Sequence, residues 1–388
     1  MRDDVALLGA WGELRAAEDP GLTPPEEARK KTDESDTVSA VIGLVGTTLG
    51  DLTAQWRTLA SAVTPRPGVL HTDSILDLVR DFAAAPGKLL RPRMVHWGWV
   101  AAGGLKHGRG HPSVVRVGTA LELLHCFALI HDDVMDASDT RRGRPSVHAF
   151  ARAQHREHHG LGGEDRYGEN IAILVGDLLH SEADQLIGGL PAPLRAAWRT
   201  MTIELMLGQG RDLVGAANGR RDLQHAEEVS RTKSGAYTVG RPLELGAIAA
   251  GGGPELAAVL AEYGRHAGRA FALRDDVLGV IGDPAHTGKP VGDDLLAGKP
   301  TVLLALAEQR FDAHWRRQMR RIGRGTVTPD DVAALCAELI ASGVIDEVEQ
   351  MIGDSVLAAG RTLDSPLVDP RAAEALRHLA ARLAWRDA

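Results

Sequence analysis

Apolar residues recur at intervals of three and four along almost the whole chain after residue 40. Residues 114–130 and 256–273 show the pattern most clearly, and both segments are apolar on more than one face. This spacing is typical of helices, and runs that are apolar on several faces indicate central rather than surface helices. Sustained alternation with a period of two is absent from the sequence, so we predict an all-α fold.

The beginning of the chain differs in composition from the rest. Residues 18–37 are rich in Pro, Glu, Lys and Asp and contain few large apolar side chains. Such a segment cannot bury enough surface to offset the entropy that is lost on ordering. We therefore expect residues 1–40 to form a flexible tail. Because 44% of all residues are hydrophobic, the remainder can bury a large core, and we expect residues 41–388 to form a single domain.

Charge and cysteine content narrow the class of protein. The formal net charge of −8, without a dominant basic stripe, argues against nucleic-acid binding. Cys126 and Cys336 lie far apart in apolar helical patterns, so we interpret both as core residues in a reducing compartment. We find no secretory leader pattern and no apolar run near the roughly 20 residues that cross a bilayer. These features predict a cytoplasmic protein without stable membrane insertion.

Two aspartate pairs lie in similar apolar surroundings, Asp132-Asp133 and Asp275-Asp276. Asp136 follows Asp132 by four residues, so a helix places both carboxylates on one face, one turn apart. Two such carboxylates suit Mg²⁺, which takes one or two protein ligands and fills its other positions with water and phosphate oxygens. The alternative for a single cluster is a solvated helix end. The second cluster favours a metal-bound diphosphate.

Several cations accompany the aspartates along the chain. Lys88 and Arg91, three residues apart, follow a glycine at the start of a predicted helix, where backbone donors also attract anions. Each cation by itself resembles a surface residue. Together they indicate two anion sites, one shared with metals between the aspartate clusters and one formed by Lys and Arg alone. The other cations near the clusters are Arg141, Arg142, Lys233, Lys289 and Lys299.

Several motifs, in order, resemble those of the trans-isoprenyl diphosphate synthases, from about residue 50 to the end of the sequence. GKLLRP at 87–92 is similar to the GKxxRP motif of that family, and LELLHCFALIHDDVMD at 121–136 to its first aspartate-rich helix. RRG at 141–143 resembles its arginine pair, and LRDDVL at 273–278 its second aspartate-rich motif. Further similarities are the GQxxD pattern at 208–212, Lys233-Ser234, and the GKP and GDD loop at 288–294.

This resemblance implies roles for individual residues. Isopentenyl diphosphate would be held by Lys88, Arg91, His125 and Arg142. The allylic diphosphate would be held by Arg141, Gln209, Lys233, Lys289 and Lys299, with the Ser234 hydroxyl replacing the more usual threonine. Direct Mg²⁺ ligands would be Asp132, Asp136 and Asp275, with the acidic ring completed by Asp133, Asp212 and Asp276.

The resemblance also implies an architecture and a reaction. The fold would be a bundle of mostly antiparallel helices around a deep central cavity, the assembly a homodimer, and the cofactor about three Mg²⁺ ions per active site. The reaction would be head-to-tail condensation of isopentenyl diphosphate with an allylic diphosphate, by ionisation, condensation and elimination. Asp132, Asp136, Asp275, Lys233 and Arg141 would carry catalysis, because they stabilise the charge that develops on the leaving diphosphate.

The residues before the first aspartate bear on product length. Phe127 lies five residues before Asp132, and Ala128 follows it. In the family, the residue at the Phe127 position helps to close the cavity, so a single aromatic there resembles geranylgeranyl diphosphate synthases. Ideal helix angles place Ala128 rather than Phe127 nearest to the Asp132 face, and Phe127 as an ordinary core residue remains an alternative.

Besides Ser234, two further positions depart from the common family pattern. Gly279 stands where many members have a third aspartate, and Ala272 where they have glutamine. Because Asp275 would be the metal ligand, Gly279 would remove at most an outer carboxylate. Ala272 would remove a polar contact near the allylic diphosphate.

Three alternatives to a geranylgeranyl diphosphate synthase remain. The first is a synthase with a farnesyl or longer product. A class I terpene cyclase would also use an aspartate-rich motif, but it would carry an Asn-Asp-x-x-Ser-x-x-x-Glu motif and have no need for Lys88, Arg91 and Arg142. A non-catalytic synthase subunit would tend to lose aspartates of the first cluster, which are all present here.

Overall fold

The computed structural model describes residues 25–60, 73–84, 87–107, 111–141, 143–220, 222–282, 292, 295, 298–310, 312–321 and 327–386, with side chains from residue 34 onward. Its helices, in chain order, are α1 (Pro25–Ala60), α2 (Asp73–Ala84), α3 (Leu90–Ala101), α4 (Gly104–His107), α5 (His111–Met135), α6 (Val147–Glu157), α7 (Glu164–Gly188), α8 (Ala192–Ala217), α9 (Leu223–Val229), a π-helix (Ser230–Gly240), α10 (Arg241–Ala250), α11 (Pro254–Ile281), α12 (Val302–Arg310), α13 (Ala313–Met319), α14 (Pro329–Ala341), α15 (Val344–Thr362) and α16 (Pro370–Ala384).

The predicted all-α fold is confirmed. Within the described residues, the strands are limited to β1 (Thr140–Arg141) and β2 (Arg144–Pro145), which pair antiparallel in a short hairpin after α5. The hairpin turns the chain back immediately after the first aspartate cluster. It therefore brings Arg141 towards the carboxylates that precede it in sequence.

The two segments with the clearest apolar periodicity are central helices, as predicted. Helix α5 packs against α3 and α7, and α11 packs against α15 and the π-helix. Both helices are therefore enclosed on more than one side, which is why their apolar residues are not confined to one stripe. Fully buried side chains of α5 and α11 include Val114, Val117, Leu121, Leu124, Leu260, Tyr263 and Ala267.

The π-helix packs against α11 through glycines. A Cβ built on Gly268 would lie 2.7 Å from the carbonyl oxygen of Gly235, and one on Gly264 would lie 2.5 Å from the Gly240 Cα. In a π-helix the hydrogen bonds join residues five apart, so Gly235 and Gly240 lie on one face. In an α-helix the same two positions would be rotated apart by about 140°. The π-geometry thus allows both glycines to meet α11.

The last part of the expected tail, residues 1–40, is helical in the structure. Helix α1 already covers the later part of this range, and Trp97 Nε1 on α3 donates a hydrogen bond to Glu34 Oε2 at 2.7 Å. Thr37 is buried, and its Oγ1 lies 2.9 Å from His96 Nδ1. These polar contacts offset the small apolar content that predicted disorder. The first 24 residues lie outside the described chain, and the single domain remains a prediction.

The two cysteines and two long apolar segments test further predictions from the sequence. Cys336 is buried and Cys126 is partly buried, and the two thiols are not joined in a disulfide. On length and composition alone, two helical segments, Glu34–Ala60 and His111–Met135, would be long and apolar enough to cross a membrane. The expectation that no segment approaches this length is therefore wrong. The second of these segments is α5, whose apolar faces are covered by neighbouring helices.

Candidate active site

A cavity of about 420 Å³ lies between α5, α8, the π-helix and α11. Ala128, Leu129, Leu205 and Val229 form an apolar part of its wall. The carboxylates and amines of the lining form a charged part, which we call the mouth. Cavities of this size suit a small organic ligand, and polar groups at one end fix its orientation. The charged and hydrogen-bonding residues in the lining are Arg91, His125, Asp132, Arg141, Gln209, Asp212, Lys233, Ser234, Tyr237, Thr238, Asp275, Asp276, Lys299 and Thr301.

The first aspartate cluster contacts cations from two other parts of the chain. Lys233 Nζ lies 3.0 Å from Asp132 Oδ1, and Gln209 Nε2 donates to the same oxygen at 3.2 Å. Lys299 Nζ lies 2.7 Å from Asp136 Oδ2. The family resemblance predicted that these five residues would share a site. The structure brings all of them together at the cavity mouth.

The two carboxylates that lie one turn apart differ in acidity. Burial disfavours the charged form of both side chains. At Asp132 the ammonium groups of Lys233 and Lys299 outweigh burial and lower the pKa. At Asp136 burial dominates, and with the repulsion from Asp132 it raises the pKa despite Lys299. Asp132 is therefore the more firmly anionic of the pair.

Asp133 lies in a different environment from Asp132, the residue before it. It is 1% exposed, and its two carboxylate oxygens accept hydrogen bonds from Arg141 Nε at 2.9 and 3.2 Å. Asp133 is not part of the cavity lining, whereas Arg141 is. The geometry therefore favours a role for Asp133 in holding Arg141 rather than in binding metal directly. The expectation that Asp133 is also a metal residue stays a prediction.

The second aspartate cluster lies across the cavity on α11. The side chain of Asp275 is 51% exposed and faces the cavity, where the Arg386 guanidinium contacts it. Asp276 also lines the cavity, but its Oδ2 accepts a hydrogen bond from the Val302 backbone nitrogen at 2.9 Å. Asp276 thus connects α11 to the beginning of α12. Asp275 is the better placed of the two for a ligand in the cavity.

These donors fit Mg²⁺. Among the described residues, no three His, Cys, Asp or Glu side chains are arranged to hold a metal by themselves. Asp132, Asp136 and Asp275 supply only oxygen atoms, from two opposed helices, beside lysines that also attract anions. An incomplete set of carboxylates suits a hard cation that completes its coordination with water and phosphate oxygens.

A second group of cationic and aromatic residues lies towards α3. Arg91 is 9% exposed and lines the cavity with His125. Its guanidinium carbon lies 4.4 Å from the centre of the Tyr237 ring, and its Nη2 donates to Thr238 Oγ1 at 3.1 Å. A guanidinium fixed in this way is prepared for a planar or tetrahedral anion.

Sequence reasoning missed Tyr237 and Thr238. The signal was present, because these residues follow Lys233 by four and five positions, close to one turn of a helix. Their π-helix was not predictable from the apolar pattern. Since π-helical segments occur often at functional sites, its position at the cavity agrees with the chemistry of the lining.

The remaining predicted binding residues fall into three groups. Ser234 lines the cavity, as expected. Lys88 is exposed and is not part of the lining of this cavity, so its role in binding stays a prediction. Arg142 and Lys289 lie outside the residues that the structure describes.

Phe127 and Ala128 have different environments. Ala128 lines the cavity. Phe127 is absent from the lining and packs against His131 and His180, with ring centres 4.5 and 4.8 Å apart. The Phe127 ring thus points towards α7, and its expected role in closing the cavity stays a prediction. The two departures from the family pattern, Ala272 and Gly279, do line the cavity.

Comparison with known sequences shows to which family the chain belongs. The sequence profile described as polyprenyl synthetase matches residues 72–339, more than half of the chain. The chain belongs to the polyprenyl synthetase family. It is 32% identical to a geranylfarnesyl diphosphate synthase of Aeropyrum pernix, over 76% of this chain and 89% of the relative. It is 31% identical to a geranylgeranyl diphosphate synthase of Mycobacterium tuberculosis, over 74% of this chain and 78% of the relative.

A solved structure supports the same assignment. The geranylgeranyl pyrophosphate synthase of Corynebacterium glutamicum, complexed with isoprenyl diphosphate and magnesium, is 36% identical, with a TM-score of 0.81. The match covers 89% of this chain and 98% of that one. This polyprenyl synthetase is thus a prenyltransferase of isoprenoid biosynthesis. It performs head-to-tail condensation of isopentenyl and allylic diphosphates, and its family in general depends on Mg²⁺.

Proposed function

We propose that the main product of this prenyltransferase is geranylgeranyl diphosphate. The observation that carries the site assignment is the pairing of two anion sites in one cavity. Asp132 and Asp275 line it, Asp136 lies against the lining residue Lys299, and Arg91 lines it towards α3. The geranylgeranyl synthases of Mycobacterium tuberculosis and Corynebacterium glutamicum, at 31% and 36% identity, support this product length. Relatives at similar identity make farnesyl and geranylfarnesyl diphosphate, so those lengths are the alternatives.

Ionisation of the allylic substrate follows from the charges at the cavity mouth. Asp132, Asp136 and Asp275 would hold about three Mg²⁺ ions, which stabilise negative charge on the departing diphosphate when they are bound. Lys233, Lys299 and Arg141 lie against the same carboxylates and would contact the diphosphate oxygens directly. Donors that are positioned before the reaction stabilise the developing charge without reorganisation.

Condensation takes place beside the apolar wall. Ala128, Leu129, Leu205 and Val229 exclude water that would capture the allylic carbocation. Arg91 and His125 hold the diphosphate of isopentenyl diphosphate, so that its double bond can attack the cation. Loss of a proton to the released diphosphate then restores a double bond in the product. None of these steps requires a protein nucleophile.

Product analysis tests this proposal. The purified protein is incubated with isopentenyl diphosphate and, separately, dimethylallyl, geranyl or farnesyl diphosphate, and the products are separated by chain length. We expect the 20-carbon diphosphate from all three primers. Accumulation of 15-carbon products, or of products with 25 or more carbon atoms, would contradict the proposed geranylgeranyl product.

Residues of the site also distinguish the proposed synthase from a terpene cyclase and from a non-catalytic synthase subunit. Arg91 and Tyr237 form a buried cation site that a terpene cyclase would not need, since a cyclase binds one diphosphate. Asp132, Asp133 and Asp136 are all present, which disfavours a non-catalytic subunit. Formation of cyclic hydrocarbons from the allylic substrate alone would favour the cyclase.

We also propose that the protein is a cytoplasmic homodimer. Helices α7 and α8 expose large apolar side chains on the outside of the fold, which is costly for a monomer. Since the surface comes from two neighbouring helices, a second copy could cover it by two-fold symmetry. The exposed residues are Ile173, Leu174, Ile203, Met206, Leu207 and Val214.

A further inference from the structure

Arg386, just beyond α16, reaches the second aspartate cluster. Its guanidinium donates to Asp275 Oδ1 and lies 4.1 Å from the centre of the Phe271 ring. It also donates to the carbonyl oxygens of Phe271, at 3.4 Å, and Leu383. Only 10% of its side chain is exposed. Arg386 is thus held at the edge of the cavity by an aromatic ring as well as by the carboxylate.

The position of Arg386 is fixed by a neighbour of Asp275. Arg274 is 8% exposed, and its two terminal nitrogens donate to the carboxylate of Glu349 on α15 at 2.7 and 2.6 Å. Its Nε donates to the carbonyl oxygen of Ala384, the last residue of α16. This two-point contact is rigid. Helix α11 therefore fixes the end of α16 through Arg274, and the next residue, Asp275, lines the cavity.

The charge of Arg386 has opposite effects on two ligands. A bare Mg²⁺ at Asp275 would be repelled by the guanidinium, and at contact distance in a partly buried site this repulsion is not fully screened. A complex of Mg²⁺ with diphosphate presents anionic oxygens to the same guanidinium and is attracted. Because the Phe271 ring also holds Arg386, the cation stays near the cavity when it releases the carboxylate.

We propose that Arg386 makes metal binding at Asp275 conditional on diphosphate. It is a positioning residue that opposes binding of Mg²⁺ alone and favours binding of Mg²⁺ together with diphosphate. The inference rests on the proposed function for the role of Asp275 as a metal ligand. Arg386 differs from Lys233 and Lys299 in that it lies outside the cavity lining and contacts the second cluster.

Isothermal titration calorimetry tests the inference without relying on activity. Mg²⁺ is titrated into the full-length protein alone and in the presence of saturating inorganic pyrophosphate, for the wild type, Arg386→Gln and Arg386→Lys. For Arg386→Gln we expect at least threefold tighter binding of Mg²⁺ alone and at least threefold weaker binding with pyrophosphate, since both effects have the guanidinium charge as their cause. Arg386→Lys keeps the charge and should follow the wild type in both titrations.

Arg382→Gln is the matched control. Arg382 is an exposed residue of α16, the helix that ends just before Arg386. Its substitution removes the same charge beside Arg93 rather than beside Asp275. It should change neither affinity, and thermal melting of each variant checks that the fold is intact. Unchanged affinities in Arg386→Gln would overturn the inference, as would weaker binding in both titrations, which would make Arg386 a residue that only orients the carboxylate. A wild type that binds no Mg²⁺ with pyrophosphate would instead contradict the proposed function.

Discussion

At the scale of single residues, the cavity is organised by pairs of opposite charge. Asp132 accepts hydrogen bonds from Lys233 and Gln209. Arg141 lines the cavity and donates hydrogen bonds to Asp133, which is buried outside the lining. Each carboxylate at the mouth therefore has a cation that can transfer its interaction to a diphosphate oxygen. The aspartates and lysines were predictable because their spacing in sequence follows the helical repeat. The distinction between Asp132 and Asp133 was not, since it depends on how the hairpin after α5 folds back.

Substitution of Asp132 tests the metal platform. Asp132→Ala removes the more anionic carboxylate of the first cluster and should lower kcat/KM by at least about 100-fold, because leaving-group stabilisation is lost. Steady-state kinetics with varied Mg²⁺ measure the effect. Asp354→Ala, at an exposed position of α15, is the control and should behave as the wild type. Near-normal turnover of Asp132→Ala would contradict the metal assignment.

Tyr237 offers a test of the second anion site. Tyr237→Leu removes the ring under Arg91, and a cation–π contact worth about 1 kcal/mol predicts a KM for isopentenyl diphosphate raised about fivefold. The KM for the allylic substrate should stay the same. Tyr237→Phe keeps the ring and serves as the control. Equal increases in both KM values would show that Tyr237 acts on the whole cavity rather than on Arg91.

At the scale of elements, the close contact of the π-helix with α11 positions one wall of the cavity. The contact has no room for side chains, since Gly235 faces Gly268 and Gly240 faces Gly264. The identity of the helices was predictable from apolar spacing. The π-geometry was not, because it depends on matching glycines between two elements that are distant in sequence.

Gly268→Ala tests this contact. The new methyl group would lie 2.7 to 2.9 Å from the Gly235 backbone, so we expect the free energy of unfolding to fall by about 1–3 kcal/mol. Gly353→Ala on α15 is the control, because no atom lies within 4 Å of its Cβ. There the helix propensity of Ala should stabilise by about 0.5–1 kcal/mol. Chemical denaturation measures both variants, and equal effects would argue against close packing.

The contact of α1 with α3 predicts a pH dependence. Burial, aided by the charge of His111, lowers the pKa of His96 from 6.5 to about 3. Between these two values the unfolded chain binds a proton that the folded chain does not, so stability should rise with pH. Below pH 6.5 the expected loss is about 1.4 kcal/mol per pH unit until the pKa of the folded state is reached.

His96→Gln is the variant for this measurement. The groups that face His96 are Thr37 and the rings of Trp97, Trp99 and, through Thr37, His111. Glutamine keeps a polar partner for Thr37 but does not titrate. Urea denaturation from pH 7 to pH 4 should show a smaller slope for the variant than for the wild type. Identical slopes would mean that His96 keeps its ordinary pKa in the folded protein.

At the scale of the whole molecule, the exposed apolar surface on α7 and α8 belongs to the proposed dimer. Leu207→Glu places a charge on this surface at a side chain that is 49% exposed, so the monomer should fold normally. We expect the variant to be monomeric by light scattering coupled to size-exclusion chromatography. Glu substitution of the similarly exposed Ile340, on α14, should leave the dimer intact. A monomeric wild type would contradict the homodimer directly.

The fold class and most of the site could be predicted because they depend on local spacing. Helical periodicity identified α5 and α11, and the motifs on them supplied Asp132, Asp136 and Asp275. The contacts of Arg386 and Phe127 were missed because they depend on tertiary packing. Arg386 reaches Asp275 from more than 100 positions away, and Phe127 turns towards α7 although its neighbour Ala128 lines the cavity.

The π-helix carries Lys233 at one end of its cavity face and Tyr237 and Thr238 at the other. One element therefore contacts both Asp132, on the proposed allylic side, and Arg91, on the proposed isopentenyl side. With this assignment, the spacing of the two bound diphosphates would depend on a few residues of a single helix rather than on the approach of separate elements. Deleting one residue between Lys233 and Tyr237 would shorten the distance between the two subsites. The reacting carbon atoms would then be misaligned, even with every charged side chain retained.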